Sequence, residues 1–158
     1  MPSTPILFKI DQFKVYNHVT IRDLEKLSCK GVVAVPFRIN KCIKHYISGI
    51  IDDRDGLCGC SQLGGPNHAV ALVGFGQVNI PSKADASAGW SQVEGHSANQ
   101  CQKYWILRNS WTNRWGEQGY FRVCREDVGL RDGTCFVRHD AVLPLMNKRY
   151  YYSKDHQY

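Results

Sequence analysis

Two apolar segments, each next to a polar side chain of catalytic type, constrain the fold of this chain most. The first begins at His68 and runs to Val73, and the second runs from Tyr104 to Arg108 and leads into Asn109. Short apolar runs rich in β-branched and aromatic residues predict buried strands. A histidine and an asparagine on two such strands can pair, and the amide oxygen then selects the imidazole tautomer. Such a pair is the base and the orienting group of a nucleophilic triad.

The complete sequences of the two segments are a more specific signal of protein family than either polar residue alone. The first block reads PNHAVALVGFG (residues 66–76), and the second reads YWILRNSWTNRWGEQGYF (residues 104–121). In this order they resemble the papain/cathepsin family of cysteine proteases, whose pattern is NHAVxxVGYG followed by YWxxxNSWGxxWGxxGY. The resemblance, from about Ile10 to Pro144, implies an α+β papain-like fold. This chain would be its C-terminal half, an antiparallel, barrel-like sheet with short helices.

The resemblance implies roles for four residues of these blocks. His68 is the general base, and Asn109 hydrogen-bonds its ring. Trp111 shields that bond from water, and Trp115 lines the part of the cleft that receives the leaving side of the substrate. The alternatives are a core histidine at a strand end, a turn asparagine, and tryptophans that fill the core.

Three neighbours of the histidine, Pro66, Asn67 and Ala69, form the wall of the cleft in the resembled family. Pro66 also follows Gly64 and Gly65, which together predict an ordinary turn. Both interpretations can hold at once.

The resemblance implies a further substrate contact near its C-terminal end, in the segment from Cys135 to Pro144. The family closes its main specificity pocket with a side chain five residues after a late cysteine, and counting from Cys135 gives Asp140. Pro144 supports this register, and a carboxylate there would accept Arg or Lys from the substrate. The alternative is a solvated aspartate at a strand end. Phe136 and Thr112 both stand where the family has glycine, and threonine is costly at its position if the backbone there needs a positive φ.

The nucleophile of the family does not occur in this chain. It lies in a Gln…Cys-Gly-Ser-Cys-Trp segment on the order of 130 residues before the histidine. Only Cys29 and Cys42 lie well upstream of His68, and neither has that context. We therefore expect the chain alone to be inactive, since nucleophile and oxyanion hole both belong to the other half. The expected partners are that N-terminal half, which supplies the cysteine, and a peptide or protein substrate.

Seven cysteines predict disulfides and an oxidising compartment, with at least one thiol left over. The resemblance implies a Cys60–Cys135 disulfide, with Cys58 as the competitor of Cys60. The alternative is a metal site formed by Cys58, Cys60, Cys135 and His139, although Cys-x-Cys is tighter than usual zinc spacing. Cys124 could be a small buried apolar residue. No cofactor and no metal are expected.

Composition excludes several classes of protein. The net charge is +6, but the basic residues are scattered and form no nucleic-acid-binding motif. No apolar run approaches the roughly 20 residues of a membrane span. The N-terminus lacks the features of a signal peptide, which fits a truncated or processed chain better than a complete one. By resemblance the protein is lysosomal, vacuolar or secreted.

The rest of the chain divides into an N-terminal extension (1–9), a β-rich domain (10–144) with a surface insertion (77–102), and a flexible tail (145–158). The local patterns predict a helix over Thr20–Leu27 and a strand over Gly31–Ile39, whose Pro36 indicates an edge or a bulge. The other predicted strands are Phe8–Val15, His68–Val73, Tyr104–Arg108, Gly119–Arg125 and Phe136–Val142.

Two functions remain open at this point. The first is a cysteine peptidase of the papain family, of which this chain carries the histidine and asparagine. The second is a non-catalytic module that keeps the cleft wall and binds peptides or proteases. In either case a lone half of the fold should expose a large apolar patch.

Overall fold

The computed structural model describes residues 10–62, 64–78, 101–127 and 129–146. Within these ranges the chain forms one mixed sheet, two short helices and a turn of 3₁₀ helix. The strands are β1 (Ile10–Asn17), β2 (Val33–Phe37), β3 (Ile50–Ile51), β4 (His68–Gln77), β5 (Lys103–Arg108), β6 (Tyr120–Cys124) and β7 (Asp140–Met146). The helices are α1 (Ile21–Ser28) and α2 (Lys41–Lys44), and the 3₁₀ turn spans Thr134–Phe136.

The sheet has the strand order β1-β7-β2-β4-β5-β6-β3. Neighbouring strands are antiparallel, except that β3 runs parallel to β6. A mixed sheet with few helices confirms the predicted α+β class. The order also puts β4 and β5, which adjoin the two catalytic-type residues, side by side at the centre of the sheet.

The core lies on one face of this sheet, because the strands alternate in the way that a half-buried sheet requires. The directly paired residues Val35 and Val70, and likewise Leu72 and Leu107, point into it. The side chains on this inner face are buried, and include Val33, Val35, Phe37, Val70, Leu72, Trp105, Leu107, Phe121, Val123, Ala141 and Leu143. Helix α1 covers part of this face with Leu24 and Leu27.

Part of the opposite side of the sheet is also apolar. We call the outer face the apolar residues on this side of β1, β7, β2 and β4, which are Phe13, Val15, Ala34, Pro36, Ala69, Ala71, Val142 and Pro144. Asn17 and Asp140 lie at one end of the same side. Phe13 is 68% exposed and Val15 is 54% exposed. A sheet with one core-facing side ordinarily has a polar second side, so this face has the composition of an interface.

Helix α1 follows its prediction closely. The hydroxyl oxygen of Thr20 accepts a hydrogen bond from the Asp23 amide at 3.1 Å, which caps the first turn. The buried positions Leu24 and Leu27 are those expected from the helical spacing. No helix within the described ranges is both long and apolar enough to cross a lipid bilayer.

Two sequence-based expectations about strands were wrong. The last strand is Asp140–Met146 and not Phe136–Val142, because the 3₁₀ turn and the residues after it occupy the segment before Asp140. Pro36 is neither at an edge nor in a bulge, since β2 lies between β7 and β4 and pairs with β4 in unbroken register. It is tolerated because β2 meets β7 through Ala34 alone, so no ladder is needed on that side of Pro36.

Three predicted segments fall wholly or mainly on residues that the structure does not describe. These are the extension (1–9), the insertion (77–102) and the tail (145–158). The predicted start of the tail was wrong, because Leu145 and Met146 belong to β7 and pair with β1.

Candidate active site

His68 and Asn109 lie where two core-facing rows of side chains end. His68 continues the row of Leu72 and Val70 on β4, and Asn109 continues the row of Trp105 and Leu107 on β5. Because β4 and β5 are neighbours, the two polar groups meet at one end of the sheet. Asn109 is only 2% exposed, whereas His68 is half-buried.

A hydrogen bond joins the two side chains, with 3.0 Å between His68 Nε2 and Asn109 Oδ1. The backbone amide of Ser110 also donates to this oxygen, at 2.8 Å, which identifies the atom as the carbonyl end of the amide. Since a carbonyl oxygen can only accept, Nε2 of His68 carries the proton. In the neutral ring Nδ1 is then the basic nitrogen.

The other end of the Asn109 amide has no partner among the described residues. Its Nδ2 is buried and unpaired, although the backbone of Asn109 is held by a 3.0 Å bond to the Gly119 carbonyl. A buried donor without an acceptor is costly, so the site has an unsatisfied hydrogen-bonding position beside the histidine.

Two tryptophans stand next to the pair. The Trp111 ring centroid lies 6.0 Å from that of His68, and Trp115 contacts Trp111 edge-to-face at 4.8 Å. Trp115 Nε1 donates to the Lys44 carbonyl at 3.2 Å. Thr112, which replaces the glycine of the family, does not have a positive φ, so no left-handed backbone is forced on threonine here.

The three residues beside the histidine differ in their contacts. Asn67 fixes the residues just before β4 to the backbone of Ile39. Its side-chain oxygen accepts a hydrogen bond from the Ile39 amide at 2.8 Å, and its side-chain nitrogen donates to the Ile39 carbonyl at 3.0 Å. Ala69 lies on the outer face and is exposed, and Pro66 is half-buried. The glycines before Pro66 both have positive φ, as a turn requires.

Asp140 begins β7, which β2 separates from β4 in the sheet. Its carboxylate accepts a hydrogen bond from His139 Nδ1 at 2.9 Å, and its side chain is 38% exposed. One carboxylate oxygen is therefore already engaged, and the group is neither deeply buried nor free in solvent.

Six of the seven cysteines form disulfides, which pair Cys42 with Cys58, Cys60 with Cys135, and Cys101 with Cys124. The remaining one, Cys29, is an exposed free thiol at the end of α1. Cys60 is therefore the partner of Cys135, and Cys58 is not.

These pairings correct two of the alternatives raised by the sequence. A metal site of Cys58, Cys60, Cys135 and His139 is wrong, because the three sulfurs are consumed in disulfides. Cys124 is buried, but as half of a disulfide and not as a free apolar residue.

The sequence analysis missed a polar cluster behind the tryptophans, formed by Tyr46, Glu117 and Arg122. Burial raises the pKa of Glu117, but hydrogen bonds from Arg122, the Gly49 amide and Tyr46 outweigh it and leave the pKa below its ordinary value. Burial raises the pKa of Tyr46, mainly because the phenolate would be desolvated. The position of Glu117 inside the second sequence block was the only available signal.

Comparison with known proteins shows the family of this chain. The family model "Papain family cysteine protease" matches residues 4–145. Cathepsin W of Mus musculus is 35% identical over 63% of this chain, and falcipain-2a of Plasmodium falciparum (isolate 3D7) is 30% identical over 86% of it.

The structure of the bromelain protease from Ananas comosus, in complex with the E64 inhibitor, superposes with a TM-score of 0.60. It is 26% identical, and the match covers 87% of this chain and 51% of bromelain. The chain spans only 24% and 25% of the two curated relatives above. From the family match over nearly its whole length, the chain belongs to the papain family of cysteine proteases.

Proposed function

We propose that this chain is the C-terminal half of a papain-type cysteine peptidase, with His68 as its general base and Asn109 as the group that orients it. The supporting observation is the 3.0 Å bond between His68 Nε2 and Asn109 Oδ1 in a chain of this family. Because Nε2–H is held by the amide, Nδ1 is the nitrogen available to a thiol. The substrates are peptides and proteins.

The nucleophile in this mechanism is a cysteine of the N-terminal half. Nδ1 of His68 takes the thiol proton, and the thiolate attacks the scissile carbonyl carbon. The imidazolium then protonates the leaving amine as the C–N bond breaks, which leaves an acyl thioester. His68 next removes a proton from water, which attacks the thioester and releases the acid and the thiol.

The cysteines of this chain support a nucleophile from elsewhere. Six are engaged in disulfides and cannot form a thiolate. Cys29 caps the end of α1, where its amide bonds to Glu25 and Leu27 carbonyls, and it lacks the sequence context of the family's nucleophile.

The outer face supports the N-terminal half as the partner. It is apolar across β1, β7, β2 and β4, and it includes Ala69, the residue directly after the proposed base. The match covers 51% of bromelain, so the unmatched part of that chain is about as long as the proposed N-terminal half would be.

The remaining site residues take the roles that the family implies. Trp111 keeps water from the His68–Asn109 bond, which strengthens that bond in a low dielectric, and Trp115 lines the leaving side of the cleft. Pro66, Asn67 and Ala69 form the cleft wall. Asp140 binds an Arg or Lys side chain of the substrate, and a preference for Leu over Arg would contradict this role.

The three disulfides favour an oxidising setting, which is consistent with a lysosomal, vacuolar or secreted protein.

The test is complementation. The chain is refolded oxidatively with an N-terminal half that carries a Gln…Cys-Gly-Ser-Cys-Trp segment, and hydrolysis of an Arg-containing fluorogenic peptide is followed. We expect activity from the mixture, none from either half, and its loss in His68→Ala. The matched control is His45→Ala, which removes an exposed imidazole at the end of α2.

Two outcomes would reject the catalytic role. If the halves associate and bind peptide without turnover, the non-catalytic binding module is the better description. If His68→Ala leaves the rate of the mixture unchanged, the base has been assigned to the wrong residue.

A further inference from the structure

We propose that Glu117 is a positioning residue, which fastens the loop of residues 111–119 so that Trp111 stays beside the His68–Asn109 bond. We call residues 111–119 the tryptophan loop. The inference rests on the proposed function for its chemical meaning, since a fixed tryptophan matters only if His68 acts as a base. Its structural content concerns this chain alone.

The carboxylate of Glu117 accepts hydrogen bonds from donors that lie outside the tryptophan loop. Oε1 accepts from the Tyr46 hydroxyl at 2.9 Å, the Gly49 amide at 3.0 Å and Arg122 Nη2 at 2.7 Å. Oε2 accepts from Arg122 Nε at 3.0 Å. The side chain thus joins the loop both to the segment after α2 and to strand β6.

The charge of Glu117 makes this fastening strong. Arg122 lies in bidentate contact with the carboxylate, and its own pKa is raised mainly by that hydrogen bond. Charge-assisted bonds of this kind are roughly twice as strong as neutral ones. Both side chains are about 30% exposed, so solvent does not fully screen the pair.

Apart from Glu117, the loop meets α2 and the segment after it through Trp115 and Gly116. Most of its backbone bonds close on itself or on the adjoining strand, such as Gly119 to the Trp115 carbonyl and Glu117 to the Tyr120 carbonyl. A Cβ on Gly116 would lie 3.0 Å from the Tyr46 ring, so the loop backbone rests against that ring. Trp115 adds a bond from its Nε1 to the Lys44 carbonyl and a ring contact with Tyr46. Among the described residues, Glu117 is the side chain of the loop that brings a charge to this contact.

A chain of ring contacts leads from this anchor to the histidine. Tyr46 lies 5.6 Å from Trp115, Trp115 lies 4.8 Å from Trp111, and Trp111 lies 6.0 Å from His68, all between ring centroids. Each ring has packed neighbours, so a shift of the loop at Glu117 changes where Trp111 meets the imidazole. Glu117 therefore acts on His68 through the tryptophans and does not touch it.

The test measures the chemical shifts of the His68 ring protons by NMR in the isolated chain. A tryptophan ring at this distance shifts the imidazole carbon-bound proton resonances, and Trp111→Leu defines the shift that its loss produces. We expect Glu117→Ala to move these resonances in the same direction. We also expect exchange of the His68 Nε2 proton to become about threefold to tenfold faster, as loss of roughly 1 kcal/mol of protection implies.

The matched control is Glu126→Ala. Glu126 also holds a strand end by its carboxylate, which accepts from the Gln102 and Lys103 amides, but it lies at the other end of the β5–β6 pair. Its removal should leave the His68 resonances in place. A folded Glu117→Ala chain with unchanged His68 resonances and exchange would overturn the proposal.

A second variant covers the case in which Glu117→Ala does not fold. Tyr46→Phe keeps the ring and removes the hydroxyl, which contacts Glu117 and also the Gly49 carbonyl and the Arg122 amide. It should give a smaller shift in the same direction. An unchanged spectrum in that variant also counts against the proposal. Failure of the complementation assay, by contrast, would reject the peptidase function and leave these resonance shifts as they are.

Discussion

Cys135 and Phe136 are consecutive residues that both adopt the left-handed backbone conformation, with φ of 54° and 67°. Cys135 is fixed there by its disulfide to Cys60, and its amide donates to Ser61 Oγ at 2.9 Å. Non-glycine residues avoid this region because Cβ approaches the carbonyl oxygen. Phe136 therefore has a backbone conformation that glycine would adopt without this cost.

The first prediction compares Phe136→Gly with Phe136→Ala. Both remove the ring, so their difference isolates the backbone cost, and glycine should be the more stable by about 1 kcal/mol. Chemical denaturation of the two variants measures this difference. The same pair of substitutions at Lys26, which is exposed in α1, should show the opposite order. Equal stability of the two Phe136 variants would contradict the strain.

The second prediction concerns Asn109. In the complemented enzyme, Asn109→Ala should lower kcat by about 100-fold with little change in KM, because the imidazole loses its fixed orientation. Steady-state kinetics on a peptide substrate separates the two constants. Asn113→Ala, which removes an exposed amide from the tryptophan loop, is the control and should retain activity. A change in KM alone would mean that Asn109 serves binding.

The third prediction ranks two disulfides by the length of chain that each closes. Cys60 and Cys135 are 75 residues apart, whereas Cys101 and Cys124 are 23 apart. Chain-entropy arguments give a loss of about 4 kcal/mol for the first pair and about 3 kcal/mol for the second. In thermal melts under non-reducing conditions, the variant without Cys60 and Cys135 should therefore have a lower melting temperature than the variant without Cys101 and Cys124. The reverse order would mean that local packing outweighs loop closure.

The fourth prediction is the response to acid. The pKa of Glu117 lies below its ordinary value of 4.5, so the carboxylate contributes stability that is fully present above that pH. The contribution is lost as pH falls from 4.5 through the lowered pKa, because the unfolded chain takes up the proton at a higher pH than the folded state does. Unfolding free energies measured between neutral and acid pH should fall more steeply for the native chain than for Glu117→Gln. Parallel curves would show that Glu117 is not stabilised as a carboxylate.

The features of the fold that could be predicted from the sequence were those determined by residues close together in the chain. Helix α1 was predicted because its cap, Thr20, and its buried positions lie within one short window. The strands beside His68 and Asn109 were visible for the same reason, since each is a compact apolar run. Pro36 was misread because tolerance of proline depends on what the neighbouring strand does.

What the sequence could not supply depends on distant pairing. The last strand was placed too early, because nothing in the apolar pattern shows that the 3₁₀ turn and the left-handed residues 135 and 136 intervene. The Cys42–Cys58 and Cys101–Cys124 pairs follow from strand neighbours and loop positions, not from spacing. Glu117 meets Tyr46 across 71 residues, so its role appears only in three dimensions.

The bond between His68 and Asn109 is formed within a single sheet, from strands β4 and β5, before any other chain is met. Orientation of the base is thus independent of the origin of the nucleophile. Under the proposed function, a partner has only to bring its thiol to a base that is already oriented. Activity would then begin at association and would require no refolding of this sheet.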